Sequence, residues 1–138
     1  HEENSSSIIG CLEVSRNVVN RYGIIKFKEG QDKIDTIIEK PEILEAPSNI
    51  AGLGRYILNP EIFDYIEKLE KGVNGEYQFT DAMKEMMKDY NYEVCMIEGT
   101  YYDTGSKEGY FKANIDFSLK RDDLKDEFIK ILKETNLN

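Results

Sequence analysis

The sequence predicts an α/β fold, in which a mixed β-sheet is flanked by helices and two further helices end the chain. Two patterns support this prediction. Short apolar runs bounded by turn residues dominate the first 58 residues, and apolar residues at helical spacing dominate most of the remainder. The 138 residues are 40% hydrophobic and 33% charged, a composition typical of one globular domain with its own core.

Five apolar runs have the length and the bounding residues of β-strands. The connection over 15–22 is polar. Residues 29–32 have turn chemistry, so the runs on either side of them, 23–28 and 33–40, are expected to pair as a β-ribbon. Pro41 ends the third run, because proline has no N–H to donate to a sheet. The runs are 7–14, 23–28, 33–40, 51–58 and 93–98.

Four polar positions mark helix starts in the rest of the chain, and the first three of them are predicted caps. Asn59-Pro60, Thr80, Ser106 and Asp122-Asp123 each precede apolar residues at helical spacing. Polar side chains of this kind accept hydrogen bonds from the free N–H groups of a first helical turn. Two sets of apolar residues are each expected to share one face of a helix: Ile62, Phe63, Ile66 and Leu69 in the first helix, and Leu124, Phe128, Ile131 and Leu132 in the last. In the second helix, Ala82, Met83, Met86 and Met87 are expected to face inward, and the third helix carries Tyr110, Ala113 and Phe117.

The charge balance does not favour a nucleic-acid partner. The chain has 27 acidic and 18 basic residues, a formal net charge of −9, and its basic residues are scattered along the sequence. Proteins that bind nucleic acids instead cluster Lys and Arg to displace counterions. No apolar run is long enough to predict a membrane span. Anionic small molecules remain compatible, because one or two cations inside a cleft suffice to bind them.

Cys11 and Cys95 both lie in apolar runs, and with a single histidine the chain has no zinc-type spacing. We therefore expect two buried free thiols in a protein of the reducing cytoplasm. Residues 1–6 are polar and are expected to form a flexible start to the chain.

The charged pair Glu39-Lys40 stands at the end of a predicted strand, immediately before Pro41. A lysine held there could present a point charge to a phosphate, and a glutamate could accept hydrogen bonds from sugar hydroxyls. Adjacent strand residues point to opposite faces, so both could serve one ligand only if the strand end twists. On spacing alone, a charged strand end before a turn is the favoured interpretation.

Asp103 ends a short extended segment, Tyr101-Tyr102, and precedes a glycine and the helix-capping Ser106. Functional groups of open α/β sheets cluster beyond the carboxyl ends of strands. A carboxylate there could bind Mg²⁺, which takes one or two carboxylates together with phosphate oxygens. The plainer alternative, an aspartate that bonds turn amides, is favoured on sequence alone.

Three further positions are candidates for ligand binding. Gly23 opens a strand, where it could relax the backbone or let a ligand approach the main chain closely. Glu76 and Asp81 lie in the segment GEYQFTDA, residues 75–82, which could be a ligand loop or a device for entering a helix. The chain contains neither glycine-rich phosphate loop, G-x-x-x-x-G-K-[ST] or G-x-G-x-x-G, and its single histidine makes a catalytic triad unlikely.

Six motifs in one order extend this interpretation. They are RYGII (21–25), IIEKP (37–41), APSNIAGLGRYIL (46–58), PEIFDYIE (60–67), GEYQFTDA (75–82) and YYDTGSKEGYFKA (101–113). Together they closely resemble the carboxy-terminal half of the bacterial UTP–glucose-1-phosphate uridylyltransferases, from about residue 7 to about residue 134. The resemblance implies a partial nucleotidyltransferase (Rossmann-like) sandwich around a mixed, mainly parallel sheet.

The resemblance also implies roles for individual residues. Glu39 would bind glucose hydroxyls, Lys40 would contact the sugar phosphate as the catalytic lysine, and Gly23 would offer its main chain to the sugar. Asp103 matches a carboxylate near a Mg²⁺ cofactor, while Glu76 and Asp81 fall in a loop that the family shares. The implied substrates are UTP and glucose 1-phosphate.

The sequence departs from this family in one large respect. The amino-terminal G-x-G-T-R-x-x-P loop, which cradles the nucleotide phosphates, does not occur. We therefore expect residues 1–138 to be one partial domain that lacks turnover alone, with its terminal helices over 106–138 forming a homo-oligomer. The alternative is a non-catalytic module that binds sugar phosphates or serves assembly.

Overall fold

A computed structural model of the chain describes residues 5–30, 33–72 and 75–135. Residues 1–4 of the predicted flexible start lie outside these ranges. The strands are β1 (Ser7–Glu13), β2 (Gly23–Phe27), β3 (Ile34–Glu39), β4 (Ile50–Ile57) and β5 (Tyr92–Met96). The helices are α1 (Ile62–Ile66), α2 (Phe79–Met86), α3 (Lys107–Lys120) and α4 (Lys125–Glu134). A 3-10 helix, Arg16–Arg21, occupies the connection that was predicted only as polar.

The described residues form two compact units, one ending at Ile97 and the other beginning at Glu98. The first unit contains the whole sheet together with α1 and α2, and the second contains α3 and α4. The predicted single partial domain over 1–138 stays a prediction.

The five strands form one sheet in the order β3-β2-β4-β1-β5. β1 and β5 are parallel, whereas β1 with β4, β2 with β4 and β2 with β3 are antiparallel. The prediction of a mixed sheet flanked by helices is confirmed, as is the β2–β3 ribbon. The mainly parallel character implied by the resemblance is wrong for the described strands. A connection as short in sequence as the one between β2 and β3 can join only antiparallel neighbours.

A bulge interrupts the pairing of β1 with β4. Ile9 pairs with Tyr56 and Cys11 with Gly52, so three residues of β4 stand opposite one residue of β1. Gly54 takes up part of the extra length with a φ of +67°, a left-handed conformation that residues with a Cβ rarely adopt. The bulge therefore lets β4 keep its pairing with β1 on both sides of the irregularity.

The core of the first unit lies between the sheet and α2. Side chains of the sheet, among them Ile9, Ile25 and Ile37, are buried together with the methionines of α2. The prediction that Ala82, Met83, Met86 and Met87 face inward is confirmed, since all four are buried. Of the residues predicted to share one face of α1, Ile62 is buried, whereas the Phe63 side chain is 67% exposed, because α1 is only one turn and a half long and covers little of the core.

Two of the predicted helix caps are wrong. α2 begins at Phe79, after an extended Gln78, so Thr80 lies inside the helix rather than at its cap. Asn59 directs its side-chain amide to the carbonyl of Ser5 at 3.1 Å, and it makes no cap to α1. Ser106 caps α3 as predicted, because its hydroxyl oxygen accepts the N–H of Gly109.

The terminal helices bury few of their apolar residues. In α3 only Ala113 is buried, and Tyr110 and Phe117 are exposed. No residue of α4 within the described part of the chain is buried. Helical spacing shows which apolar residues share a face, but it does not show what covers that face.

The two cysteines differ in environment. Both are free, as predicted, but Cys11 is buried whereas Cys95 is exposed, which corrects the expectation of two buried thiols. Cys95 lies on β5, which is an edge strand of the described sheet, so fewer neighbours cover it. Burial, and to a lesser degree the charge of Cys95, raise the pKa of the Cys11 thiol to about 12.

Across the described ranges, no helix is both long and apolar enough to cross a membrane.

These environments predict that the cysteines differ in reactivity. Near neutral pH, Ellman's reagent should modify Cys95 rapidly and Cys11 only after denaturation, because a buried thiol with a raised pKa provides no thiolate. The Cys95→Ser variant should therefore show no rapid reaction in the native state. Equal rates for the two thiols of the native chain would contradict the assigned burial.

Candidate functional site

A cleft of about 330 Å³ lies in the first unit, beside the ends of the β2–β3 ribbon. The 3-10 helix, three strands and the start of α2 all contribute to its wall. The residues that line it are Arg21, Tyr22, Gly23, Ile37, Glu39, Gly52, Tyr56, Gln78, Phe79 and Thr80. Two of the residues predicted from the sequence, Gly23 and Glu39, are therefore brought together at one site.

Gly23 and Glu39 are direct partners in the β2–β3 ladder. A Cβ at position 23 would stand 3.1 Å from the Glu39 carboxylate oxygen Oε2 and 3.1 Å from Ile37 Cγ2. Contacts that short would push the carboxylate away from its present position. The glycine thus leaves the room that the Glu39 side chain occupies at the cleft wall.

An aromatic pair forms another part of the cleft wall. The rings of Tyr56 and Phe79 lie with their centroids 5.7 Å apart and tilted. Burial, and next the negative charge of Glu39, raise the pKa of the Tyr56 hydroxyl. Tyr56 was not predicted as a site residue, although it stands in the GRY segment that contributed to the resemblance.

Lys40 is exposed and does not line the cleft itself. Its backbone N–H donates to the carbonyl of Tyr22 at 3.0 Å, which extends the ribbon by one bond beyond Gly23 and Glu39. Its φ is +45°, a left-handed conformation that costs a non-glycine residue about 1–2 kcal/mol. Strained residues of this kind cluster at functional sites. No ion pair of the Lys40 ammonium occurs within the described ranges.

Arg21 was also missed by the sequence reasoning. It ends the 3-10 helix and lines the cleft. Among the basic residues, it is the nearest to Gly23 in the sequence. Gln78 and Thr80 add neutral hydrogen-bonding groups from the other side. Thr80 does not cap α2, so its hydroxyl is available to the cleft.

Asp103 lies in the second unit, just before α3. Its Oδ1 accepts the N–H of Gly105 at 3.2 Å, and its carbonyl accepts the hydroxyl of Ser106 at 2.9 Å. The turn-amide interpretation of this aspartate is therefore present in the structure. The described residues contain no group of three or more His, Cys, Asp or Glu side chains arranged to hold a metal ion. The Asp103 side chain is half-buried, and its single carboxylate fits one ligand position of a Mg²⁺ ion. Such an ion takes its other ligands from phosphates and water.

Glu76 and Asp81 lie outside the lining of the cleft. Glu76 is exposed and accepts a long hydrogen bond of 3.4 Å from Gln78 Nε2. Asp81 pairs with Lys84 at 3.0 Å and lines a separate depression that also contains Tyr65. Local contacts therefore account for the positions of both side chains. A role for either residue in ligand binding stays a prediction.

The turn at Asp103 predicts a strict requirement for glycine at position 109. A Cβ there would stand 2.0 Å from the Asp103 carbonyl oxygen, so the first turn of α3 or the Asp103 turn must move. Gly109→Ala should lower the free energy of unfolding by about 1–3 kcal/mol in urea titrations. It should also shift the Gly105 amide resonance, because that amide is bonded to Asp103.

Gly72→Ala is the matched control for Gly109→Ala, because a Cβ at 72 meets nothing closer than 3.5 Å. It should change stability by less than about 1 kcal/mol. Equal stability of the two variants would contradict the close approach of α3 to Asp103.

Curated relatives match almost the whole chain. A UTP–glucose-1-phosphate uridylyltransferase of Staphylococcus haemolyticus is 44% identical over 97% of this chain and 48% of its own length. UTP–glucose-1-phosphate uridylyltransferase 1 of Staphylococcus saprophyticus is 40% identical over 99% of this chain and 48% of its own length. The chain thus spans about half the length of the curated relatives it matches.

Solved structures agree with the fold. A UTP-bound UGPase from Acinetobacter baumannii superimposes with a TM-score of 0.83 at 28% identity, over 98% of this chain and 47% of that one. A UDP-glucose pyrophosphorylase in complex with UDP-glucose gives a TM-score of 0.76 at 37% identity, over 84% of this chain and 45% of that one. The sequence model of the nucleotidyl transferase family matches residues 1–119. With the mixed sheet and the cleft at its ribbon, this match establishes that the chain belongs to the nucleotidyl transferase family.

Proposed function

We propose that the chain supplies the sugar-phosphate side of an enzyme that makes UDP-glucose and pyrophosphate from UTP and glucose 1-phosphate. The observation that carries the proposal is the cleft in which Gly23 and Glu39 face each other, with a strained lysine as the next residue. The names of the curated relatives and of the superimposable structures support the choice of substrates.

The sugar is bound by Glu39 and the backbone around Gly23. An ionised carboxylate accepts hydrogen bonds from two hydroxyls at once, which suits a hexose. The bare Cα of Gly23 lets a ligand approach the main chain. Tyr56 and Phe79 offer an apolar wall for the C–H face of the sugar ring.

The Lys40 ammonium binds the phosphate of the sugar phosphate. In the proposed reaction, a phosphate oxygen of glucose 1-phosphate attacks the α-phosphorus of UTP, a new P–O bond forms, and the bond to the leaving pyrophosphate breaks. Two anions must approach each other in this step, so a fixed ammonium lowers the repulsion between them. Holding the reactants in line can contribute about 7–11 kcal/mol of the barrier reduction. Lys40 is therefore the residue to which we assign the largest single share.

Asp103 is proposed as one ligand of a Mg²⁺ ion in the complete enzyme. The ion, when bound, neutralises charge on the nucleotide phosphates. Asp103 would contribute the carboxylate oxygen that the turn leaves for it, since Oδ1 is bonded to Gly105.

Three further elements belong to the proposal. The chain alone should bind sugar phosphate without turnover, since its sequence has no G-x-G-T-R loop for the nucleotide. The exposed apolar residues of α3 and α4 support a homo-oligomer formed through these helices. The free thiols support a location in the reducing cytoplasm.

Lys40→Ala tests the proposal on the chain itself. It should weaken binding of glucose 1-phosphate by at least about tenfold, or about 1.4 kcal/mol, in isothermal titration calorimetry. Binding of glucose should stay unchanged, because glucose has no phosphate for the ammonium to meet. The matched control is Lys33→Ala, which removes an exposed lysine before the other end of β3. The assigned role is wrong if Lys40→Ala weakens both ligands equally, or neither.

A further inference from the structure

The backbone of Lys40 departs from the strand that leads to it. In a regular strand, neighbouring side chains point to opposite faces, so Lys40 would point away from the cleft that Glu39 lines. A φ of +45° at Lys40 breaks this alternation immediately after Glu39. The change in backbone direction therefore removes the geometric obstacle to the two side chains serving one ligand.

Two anchors hold Lys40 in this conformation. On the amino-terminal side, its N–H is fixed to the Tyr22 carbonyl at 3.0 Å, one residue beyond the Gly23–Glu39 pair. On the other side, Pro41 is buried although Lys40 and Glu42 on either side of it are exposed. The chain bends at Lys40, between the end of the ladder and the buried proline.

The second anchor is the burial of the Pro41 ring, and the backbone preference of proline opposes the conformation that it holds. Its ring fixes its own φ and restricts the residue before it, which ordinarily takes extended backbone with a negative φ. Lys40 is thus unusual on two counts, as a non-glycine residue and as a residue before proline. A conformation that is unfavourable in both respects persists only where the surroundings determine it.

We propose that Pro41 is a positioning residue, whose buried ring holds Lys40 in its left-handed backbone and so places the ammonium where it meets the phosphate of a ligand held by Glu39. This inference rests on the proposed function, because it takes a sugar phosphate as the ligand. It goes beyond that function by assigning the placement of the charge to a residue that touches no substrate.

Pro41→Ala tests the inference by removing the ring. The preference of the chain for glucose 1-phosphate over glucose, measured as the ratio of the two dissociation constants, should fall by about the same factor as in Lys40→Ala. Glucose affinity should be retained, and this retention also shows that the variant is folded around the cleft. The double variant Lys40→Ala with Pro41→Ala should lose no more than Lys40→Ala alone, because both changes remove the same contact.

The backbone itself provides a second readout. In the wild-type chain, the amide and α protons of Lys40 should give the strong intraresidue NOE of a positive φ, and this NOE should weaken in Pro41→Ala. Pro47→Ala is the matched control, since it removes an exposed proline from the loop before β4. It should change neither the NOE nor the preference.

The outcomes separate the two claims. If wild type prefers glucose 1-phosphate and Lys40→Ala removes the preference, but Pro41→Ala keeps it, the positioning role of Pro41 is overturned and the proposed function stands. Persistence of the strong NOE in Pro41→Ala likewise overturns the positioning role. A wild-type chain that shows no preference for the phosphate overturns the proposed function, and the inference with it.

Discussion

The pairing of β2 with β3 is the constraint on which the site depends. Its register sets Gly23 opposite Glu39, and the next bond, from the Lys40 N–H to the Tyr22 carbonyl, continues the same ladder. A slip of one residue would turn every side chain of β3 to the other face. Ile34 and Ile37 are buried on β3, so such a slip would expose core side chains, and burial of the core therefore fixes the geometry of the cleft.

The cleft combines groups that would be costly to bring together without this frame. A carboxylate and a half-buried tyrosine line the same cleft, where burial and next the charge of Glu39 raise the pKa of the Tyr56 hydroxyl, and a lysine is held in a strained backbone. Strain of about 1–2 kcal/mol is a substantial fraction of the stability of a small domain. The surrounding ladder and the buried Pro41 offset that cost, and this is the arrangement expected where function, rather than packing, determines a conformation.

Much of the fold followed from the sequence, because periodicity and proline placement report burial and strand ends directly. All five strands were predicted within a few residues, and the methionines of α2 were buried as expected. Helix starts were less predictable, since Thr80 lies inside α2 and the Asn59 side chain donates to the Ser5 carbonyl instead of capping α1. For the site, motifs identified Gly23 and Glu39, but spacing could not identify Arg21 or Tyr56, which reach the cleft only through the tertiary fold. The left-handed φ of Lys40 was likewise beyond prediction, because proline favours an extended neighbour.

The proposed function depends on binding of the sugar phosphate in the cleft at the β2–β3 ribbon. Isotope-labelled chain can be titrated with glucose 1-phosphate while its amide chemical shifts are followed. The largest shifts are expected at Gly23, Glu39 and Lys40, with smaller ones at Gly52 and Thr80. Shifts centred instead on the separate depression beside Tyr65 and Lys84, or no saturable shifts at all, would contradict the proposed function.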